Sequence, residues 1–453
     1  MVDPLTSDMT QVRRPAVPAP GARVAVVGSG IAGLASAWLL SGRYSVTLFE
    51  SGSYFGGHSN TVDVTIDGQT HPVDTGFLVH NDLTYPNLIA LFKHLGVSVH
   101  QSDMSFGVSV ESPDIEWAGS SLGTVFAQKS LLLNPRFLSM LAQILRFNRH
   151  AQDYLAESLA QPDLTLGELL ERHRYGQAMQ YWYLLPMAAA IWSSSVRDIL
   201  GFPAATFLRF CINHRLLQIE GRPQWRTVLD GSRAYVQAML KSIPDARLDS
   251  PVIEINRHHL QGGFGAQAQA GIVVRTPHST ETFDALVMAC HAPTSLAILD
   301  ATAREREILG AIRYQPNEAV LHTDTALLPR RKKVWSAWNY LSTPDRDASH
   351  AVAVSYLINR LQPLPFDTPV IVTLNSHKPI DPALTIKRFE YEHPVMDVPA
   401  IRAQKALGSI QGERATWFCG AWCGYGFHED GLKSAISVAR DFGITPPWHQ
   451  EGA

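Results

Sequence analysis

The chain has 453 residues, 45% of them hydrophobic and 17% charged, with a formal net charge of -3 at pH 7. That length exceeds one ordinary core and predicts two domains, or one domain with a large insertion. The near-neutral balance gives no global reason to expect nucleic-acid binding, no uncharged apolar run is long enough to span a bilayer, and four cysteines make no disulfide framework.

Residues 1–22, "MVDPLTSDMTQVRRPAVPAPGA", lack the apolar core of a secretory signal, and their Pro, Ser and Ala content predicts a flexible leader. Without an export signal the cysteines are expected to be reduced thiols in the cytoplasm. Residues 23–50 read "RVAVVGSGIAGLASAWLLSGRYSVTLFE". A β-branched run from Arg23 to Val27 predicts a strand buried on both faces. Gly28-Ser29-Gly30-Ile31-Ala32-Gly33 follows at once, then an apolar helix, then a second strand from Ser45 to Phe49. Gly28 suits the tight turn, Gly30 lets a pyrophosphate reach the backbone, and Gly33 lets the helix lie close to the strand. Glu50 stands about twenty residues on, where an acid accepts from a ribose hydroxyl. The glycines alone are weak; strand, glycines, helix, strand and acid together predict a dinucleotide-binding unit. A second glycine pair, Gly56-Gly57, precedes His58, and Asp74-Thr75-Gly76-Phe77 comes soon after.

From Ala118 to Gln152 the chain carries Lys129, Arg136, Arg146 and Arg149 but no Asp or Glu. After Pro135 a helix is predicted to about His150, with Leu138, Leu141, Ile144 and Leu145 on one face. Such a segment, 124–150, either lies on an anionic bilayer surface or packs its apolar face inward. "YWYLLPMAAAIWSSS" and "FPAATFLRF" suit a hydrophobic pocket or tunnel better than a site for a charged amino acid. "GSRAYVQAMLKSIPDARLDSPVIEINR" predicts a helix after Gly231-Ser232 and a strand with Val252 and Ile255. "FDALVMACHAP" predicts a strand running into a loop at Cys290-His291, and "KKVWSAWNYL" an alternating strand after a basic, solvated turn.

Near the end, "FCGAWCGYGFHEDGLKSA" gathers Cys419, Cys423, His428, Glu429 and Asp430. The cysteine spacing matches neither the usual zinc pair nor a redox dithiol, so no metal is expected. Trp417 to Cys419 reads as a last buried strand, Gly420 as a turn, and Asp430 as a cap on a helix reaching about Arg440.

Together these segments resemble the FAD-binding flavoprotein superfamily of amine oxidases and carotenoid desaturases. Within it they look like a bacterial subgroup of NAD/FAD-binding proteins associated with cyclopropane fatty acid synthases. "LLPMAAAIWS", "RPQWRTV", "YQPNEAVLHTDTALLPRR" and "GYGFHEDGLKSA" carry that likeness. The resemblance implies an α/β fold: a Rossmann-like FAD-binding domain from 23–95, 221–299 and 396–445, with an interleaved α+β substrate-binding domain from 96–220 and 300–395. It implies FAD contacts at Gly28 to Gly33, Glu50, Ser51, Gly56 and Gly57, with His58 replacing the usual arginine. Further contacts follow at Thr75, Gly76, Phe77, Val252, Gly420, Ala421, Asp430, Gly431 and Leu432. Ser232 departs from a usual glycine and Ala421 from a frequent acid.

His428 falls where amine oxidases carry an aromatic wall, with Trp422 and Tyr425 beside it. These three are the catalytic candidates; His428 either positions substrate and moves a proton near neutral pH, or packs the loop. Lys333 is the candidate for a lysine holding water near flavin N5. The function implied is hydride exchange between flavin and a fatty-acyl or similar lipid substrate, by desaturation, saturation or double-bond isomerisation. A flavin amine oxidase and a non-catalytic lipid-holding flavoprotein are the alternatives. A cyclopropane-synthase-like enzyme is the implied partner.

Overall fold

The computed structural model describes residues 16–218, 221–257, 271–342 and 353–449. Its first domain is built on a five-stranded parallel sheet in the order Asp245–Arg247, Ser45–Phe49, Arg23–Val27, Ala285–Met288, Thr416–Phe418. The central strands are buried on both faces, which is why they read as unbroken apolar runs rather than alternating ones. Helix Ile31–Ser41 is buried nearly all round, because the sheet lies on one side and the closing helix His428–Asp441 on the other. Small residues permit that approach. A Cβ on Gly33 would overlap the Gly28 carbonyl oxygen, and one on Gly431 would stand 2.8 Å from Ile31 Cγ2.

The second domain is a seven-stranded mixed sheet, ordered Thr385–Pro394, Tyr314–His322, Ile371–Leu374, Ala353–Leu357, Trp338–Leu341, Phe106–Val110, Ile115–Ala118. Helices between residues 135 and 213 cover it. At Pro186 the missing backbone N–H frees the Trp182 carbonyl, which instead accepts from the Trp117 indole at 3.2 Å. A turn of wider π-helix, Gln180–Leu184, sits at this point.

Several expectations are corrected. Residues 1–15 of the predicted leader lie outside the described residues. Its end is docked: Tyr44 donates to the Pro18 carbonyl at 3.3 Å, and Gly21 N–H to Arg43 at 2.9 Å. The strand expected to carry Val252 and Ile255 forms only as Glu254–Asn256, in a small antiparallel sheet, so Val252 lies just ahead of it; the edge of the parallel sheet is Asp245–Arg247. The helix predicted to end near His150 runs Pro135–Ala160, since nothing helix-breaking intervenes. Helix Ala303–Gly310 buries Ile308 and Leu309 in the first core, although it was assigned to the second domain. Among the described residues no helix is long and apolar enough to cross a membrane.

Candidate functional site

A cavity of about 470 Å³ begins at the glycine turn and extends between the two domains. Gly28, Ser29, Gly30, Ile31 and Ala32 form one end. A Cβ built on Gly30 meets no atom within 4 Å, so the backbone here fronts open space at the start of a helix. Glu50 and Ser51 join from the end of the second strand. Glu50 accepts from Ser29 N at 3.0 Å and Ser29 Oγ on one oxygen, and from Gly52 N at 2.8 Å and Ser51 Oγ at 3.3 Å on the other, which fixes its carboxylate; a ribose hydroxyl would take the place of a hydroxyl donor.

Gly56, Gly57, His58, Thr75, Gly76 and Phe77 line the middle, and Gly420 and Ala421 come from the last strand. A Cβ on Gly420 would overlap the Trp422 indole, whose buried Nε1 has no hydrogen-bond partner. His58 Nε2 is buried and unpartnered too. Burial, then the neighbouring His393, His291 and His428, hold the His58 imidazole well below its usual range, so it is neutral.

His428 lines the cavity but is tied down. Its Nε2 hydrogen-bonds with Ser59 Oγ at 2.9 Å and Tyr235 OH at 3.2 Å, and Ser59 and Tyr235 bond each other. Its ring stacks on Phe77 at 3.7 Å. Burial, with His80 adding, pushes it down to about 3. Of the two readings of His428, these restraints favour the one that packs the loop over proton transfer near neutral pH. Tyr425 lines the cavity and Trp422 does so as a buried wall, 2% exposed.

Gly33, Val252, Asp430, Gly431 and Leu432 do not line the cavity. Gly33 and Gly431 serve the helix contacts above, and Val252 and Leu432 are core residues. The Asp430 carboxylate accepts from Phe427 N at 3.0 Å from the third helical position, so it caps the helix start by reaching back to the residue that opens it; burial raises it to about 6. Lys333 is exposed and lies beside Gly123, away from the cavity, which removes it as a water-holding lysine. Asp74 is buried in a knot, accepting from Ser232 N, Ser232 Oγ, Thr61 Oγ1 and Gln362 Nε2. Cys419 and Cys423 are free thiols, and Cys419 faces Ser36 Oγ at 3.5 Å.

Sequence reasoning missed the far wall. Tyr391 and His393, on strand Thr385–Pro394, stand over His58 with ring centroids 4.8 and 5.0 Å away. Beyond them the cavity is lined by Met104, Ile191, Trp192, Phe210, Leu216 and Trp225, with Tyr425 and Phe427. Phe427 stacks on Phe210 at 5.0 Å, and the Trp192 indole donates to the Tyr425 carbonyl at 3.2 Å. The acids lining the cavity are Glu50, described above, and Glu392, which is paired with His291 at 2.9 Å.

The model of the NAD(P)-binding Rossmann-like domain matches residues 26–95. No curated protein matches the chain. Solved structures do. A CLA-producing fatty acid isomerase from P. acnes is 16% identical, with a TM-score of 0.62 over 92% of this chain and 98% of that one. Cyclohexylamine oxidase from Brevibacterium oxydans is 15% identical, with a TM-score of 0.64 over 94% of this chain and 100% of that one. A putrescine oxidase bound to putrescine is 15% identical, with a TM-score of 0.62 over 94% and 99%. At these identities the likeness is one of fold: a Rossmann-like domain joined to a second domain across a shared cavity.

Proposed function

We propose that the chain is an FAD-dependent oxidoreductase acting on a long apolar substrate of fatty-acyl type. One observation carries the reading: a single cavity runs from the glycine turn into an arm walled by aromatic and aliphatic side chains with no unpaired acid facing it. The residues present fit FAD. Open space at Gly30, two helix N-termini, the Glu50 carboxylate and the unpartnered His58 Nε2, which would donate to a phosphate in the tautomer protonated there, match a ribose and pyrophosphate. FAD, when bound, supplies a hydride acceptor and donor. Gly28 to Ala32 would hold its phosphates by backbone amides, and His58, neutral, would add one hydrogen bond where an arginine would add charge. The apolar arm would exclude water and align an acyl chain by shape alone. One of the fold relatives is a fatty acid isomerase, which supports the substrate class.

Amine oxidation is the competing reading, supported by the two amine oxidases of the same fold. A cationic amine would need an acid in the arm, and Glu392 already holds His291. Anaerobic mixing separates the two. Unsaturated free fatty acids, and separately primary and secondary amines, are added to the FAD-loaded protein, with the flavin's visible band and the acyl products followed together. Bleaching or acyl conversion by the lipid, with amines inert, is the expected result; bleaching by amines alone overturns it.

His428→Ala is expected to weaken FAD retention by about tenfold, because it cuts the Ser59–Tyr235 knot and the Phe77 stack. The pH–rate profile between about pH 6 and 9 should keep its shape, since the imidazole is uncharged throughout that range. Full flavin retention with a lost ionisation would return His428 to the substrate.

A further inference from the structure

The acid-free stretch between Ala118 and Gln152 packs only half of the face its spacing singled out: Leu141 and Ile144 lie partly buried against the core, and Leu138 and Leu145 do not. Helix Pro135–Ala160 buries Phe137, Met140, Phe147 and Ala151, and turns Leu138 and Leu145 outward. Leu138, Ala142, Leu145 and Arg149 form one exposed stripe at helical spacing. Ahead of the helix, Leu122 and Leu133 are 80% and 89% exposed, and Leu132 stands out beside them. This is no loose loop. Ser121 caps the turn Leu122–Val125, Asn134 caps the long helix, and Leu131 and Phe137 are buried beneath. The protruding leucines are held out by a rigid base.

Cations surround them. Lys129, Arg136 and Arg149 are exposed, and the Lys333 ammonium lies 3.4 Å from where a Cβ of Gly123 would stand. Arg146 is committed elsewhere, to the His173 carbonyl and the Tyr175 ring. The adjoining acids Asp114 and Glu116 are occupied by Arg330 and Arg331. The patch is therefore apolar at its crest and positive at its margin.

We propose that this face docks on an anionic phospholipid bilayer, with Leu122, Leu132 and Leu133 entering the acyl–headgroup boundary and Lys129, Arg136, Arg149 and Lys333 meeting lipid phosphates. Charge complementarity selects the occupant. A second copy of the chain would bring the same cations face to face. The surface goes beyond the proposed reaction and stands on its own residues, since none of them lines the cavity.

The test is co-sedimentation of the full-length chain with sucrose-loaded vesicles of phosphatidylcholine, with and without phosphatidylglycerol. Partition onto the phosphatidylglycerol vesicles is expected, weakened as salt rises. Leu132→Ser with Leu133→Ser, and separately Arg136→Glu with Arg149→Glu, should each cut partition by about tenfold or more. All four side chains are exposed, so melting curves should match wild type and exclude misfolding. Equal recovery in the supernatant with both vesicle types overturns the proposal, and so does wild-type partition by both variants. Self-association lost with the leucines, without vesicle binding, overturns it in favour of a protein interface. Binding is read without substrate, so docking with neither flavin bleaching nor acyl conversion by fatty acids leaves this surface standing and removes the proposed substrate.

Discussion

Gly30→Val is expected to fold normally and to purify without flavin. Gly30 has φ -61° and ψ 176°, an extended conformation open to any side chain, and a Cβ there touches nothing within 4 Å. The protein itself therefore tolerates the change. What the valine fills is the space in front of the Ile31–Ser41 amides, where a pyrophosphate must come to the backbone. FAD affinity should fall by at least about a hundredfold, read by fluorescence titration of the apoprotein. Gly33→Ala makes the contrast, because its Cβ would overlap the Gly28 carbonyl oxygen. That variant should lose stability as well as flavin. A flavin-replete Gly30→Val protein would place the cofactor elsewhere and remove the proposed chemistry.

Arg257→Met should destabilise the folded protein by about 3–5 kcal/mol, because it strands a buried carboxylate. Arg257 is fully buried; its Nη1 and Nη2 donate to the two Glu305 oxygens at 2.7 and 2.8 Å, and its Nε donates to Asp300 at 2.7 Å. Nη1 also reaches Thr416 Oγ1 at 3.2 Å, tying the last strand of the parallel sheet to this cluster. Burial alone would raise the Glu305 and Asp300 carboxyls, but the guanidinium outweighs it and holds both below their usual range. Carboxyls so depressed stabilise the fold fully above their unfolded values, and that contribution is withdrawn as pH falls through the lower folded values. Denaturant midpoints should drop for Arg257→Met at neutral pH, with the gap to wild type narrowing on acidification. The double change Arg257→Met with Glu305→Met should recover part of the loss, since no charge is then left alone. A single variant with a wild-type midpoint would show the cluster to be ornamental.

What could be read in the sequence was local. Gly28 to Gly33 and Glu50 announce themselves because turn, helix start and ribose acid fall within one βαβ unit, where spacing encodes geometry. Gly420 was legible for the same reason, as a glycine between a short buried strand and a helix. The far wall was not, because it is assembled from residues hundreds of positions apart. One signal did exist: Phe389, Tyr391 and His393 alternate along strand Thr385–Pro394, as side chains sharing a face must. Val252 misled because the strand carrying Ile255 begins only at Glu254, which leaves Val252 packed in the core ahead of it, while the run that pairs with Ser45–Phe49 is Asp245–Arg247. His428 was placed at the cavity but its restraint was hidden, since Ser59 and Tyr235 carry no pattern that ties them to it.

The order of strands in the parallel sheet has a consequence for synthesis. A ribosome delivers Arg23–Val27 and Ser45–Phe49 early, yet their sheet is closed at one edge by Thr416–Phe418, and helix Ile31–Ser41 is sealed only by His428–Asp441. For most of translation the nascent chain carries an apolar helix and an unpaired strand edge, a state prone to aggregate. Any product that stops before about residue 418 also lacks Gly420, so a prematurely ended chain neither closes its first domain nor completes the cavity. Residues 416–441 thus act as an inspection step: a chain cut short of them keeps an open sheet edge and an unfinished cavity.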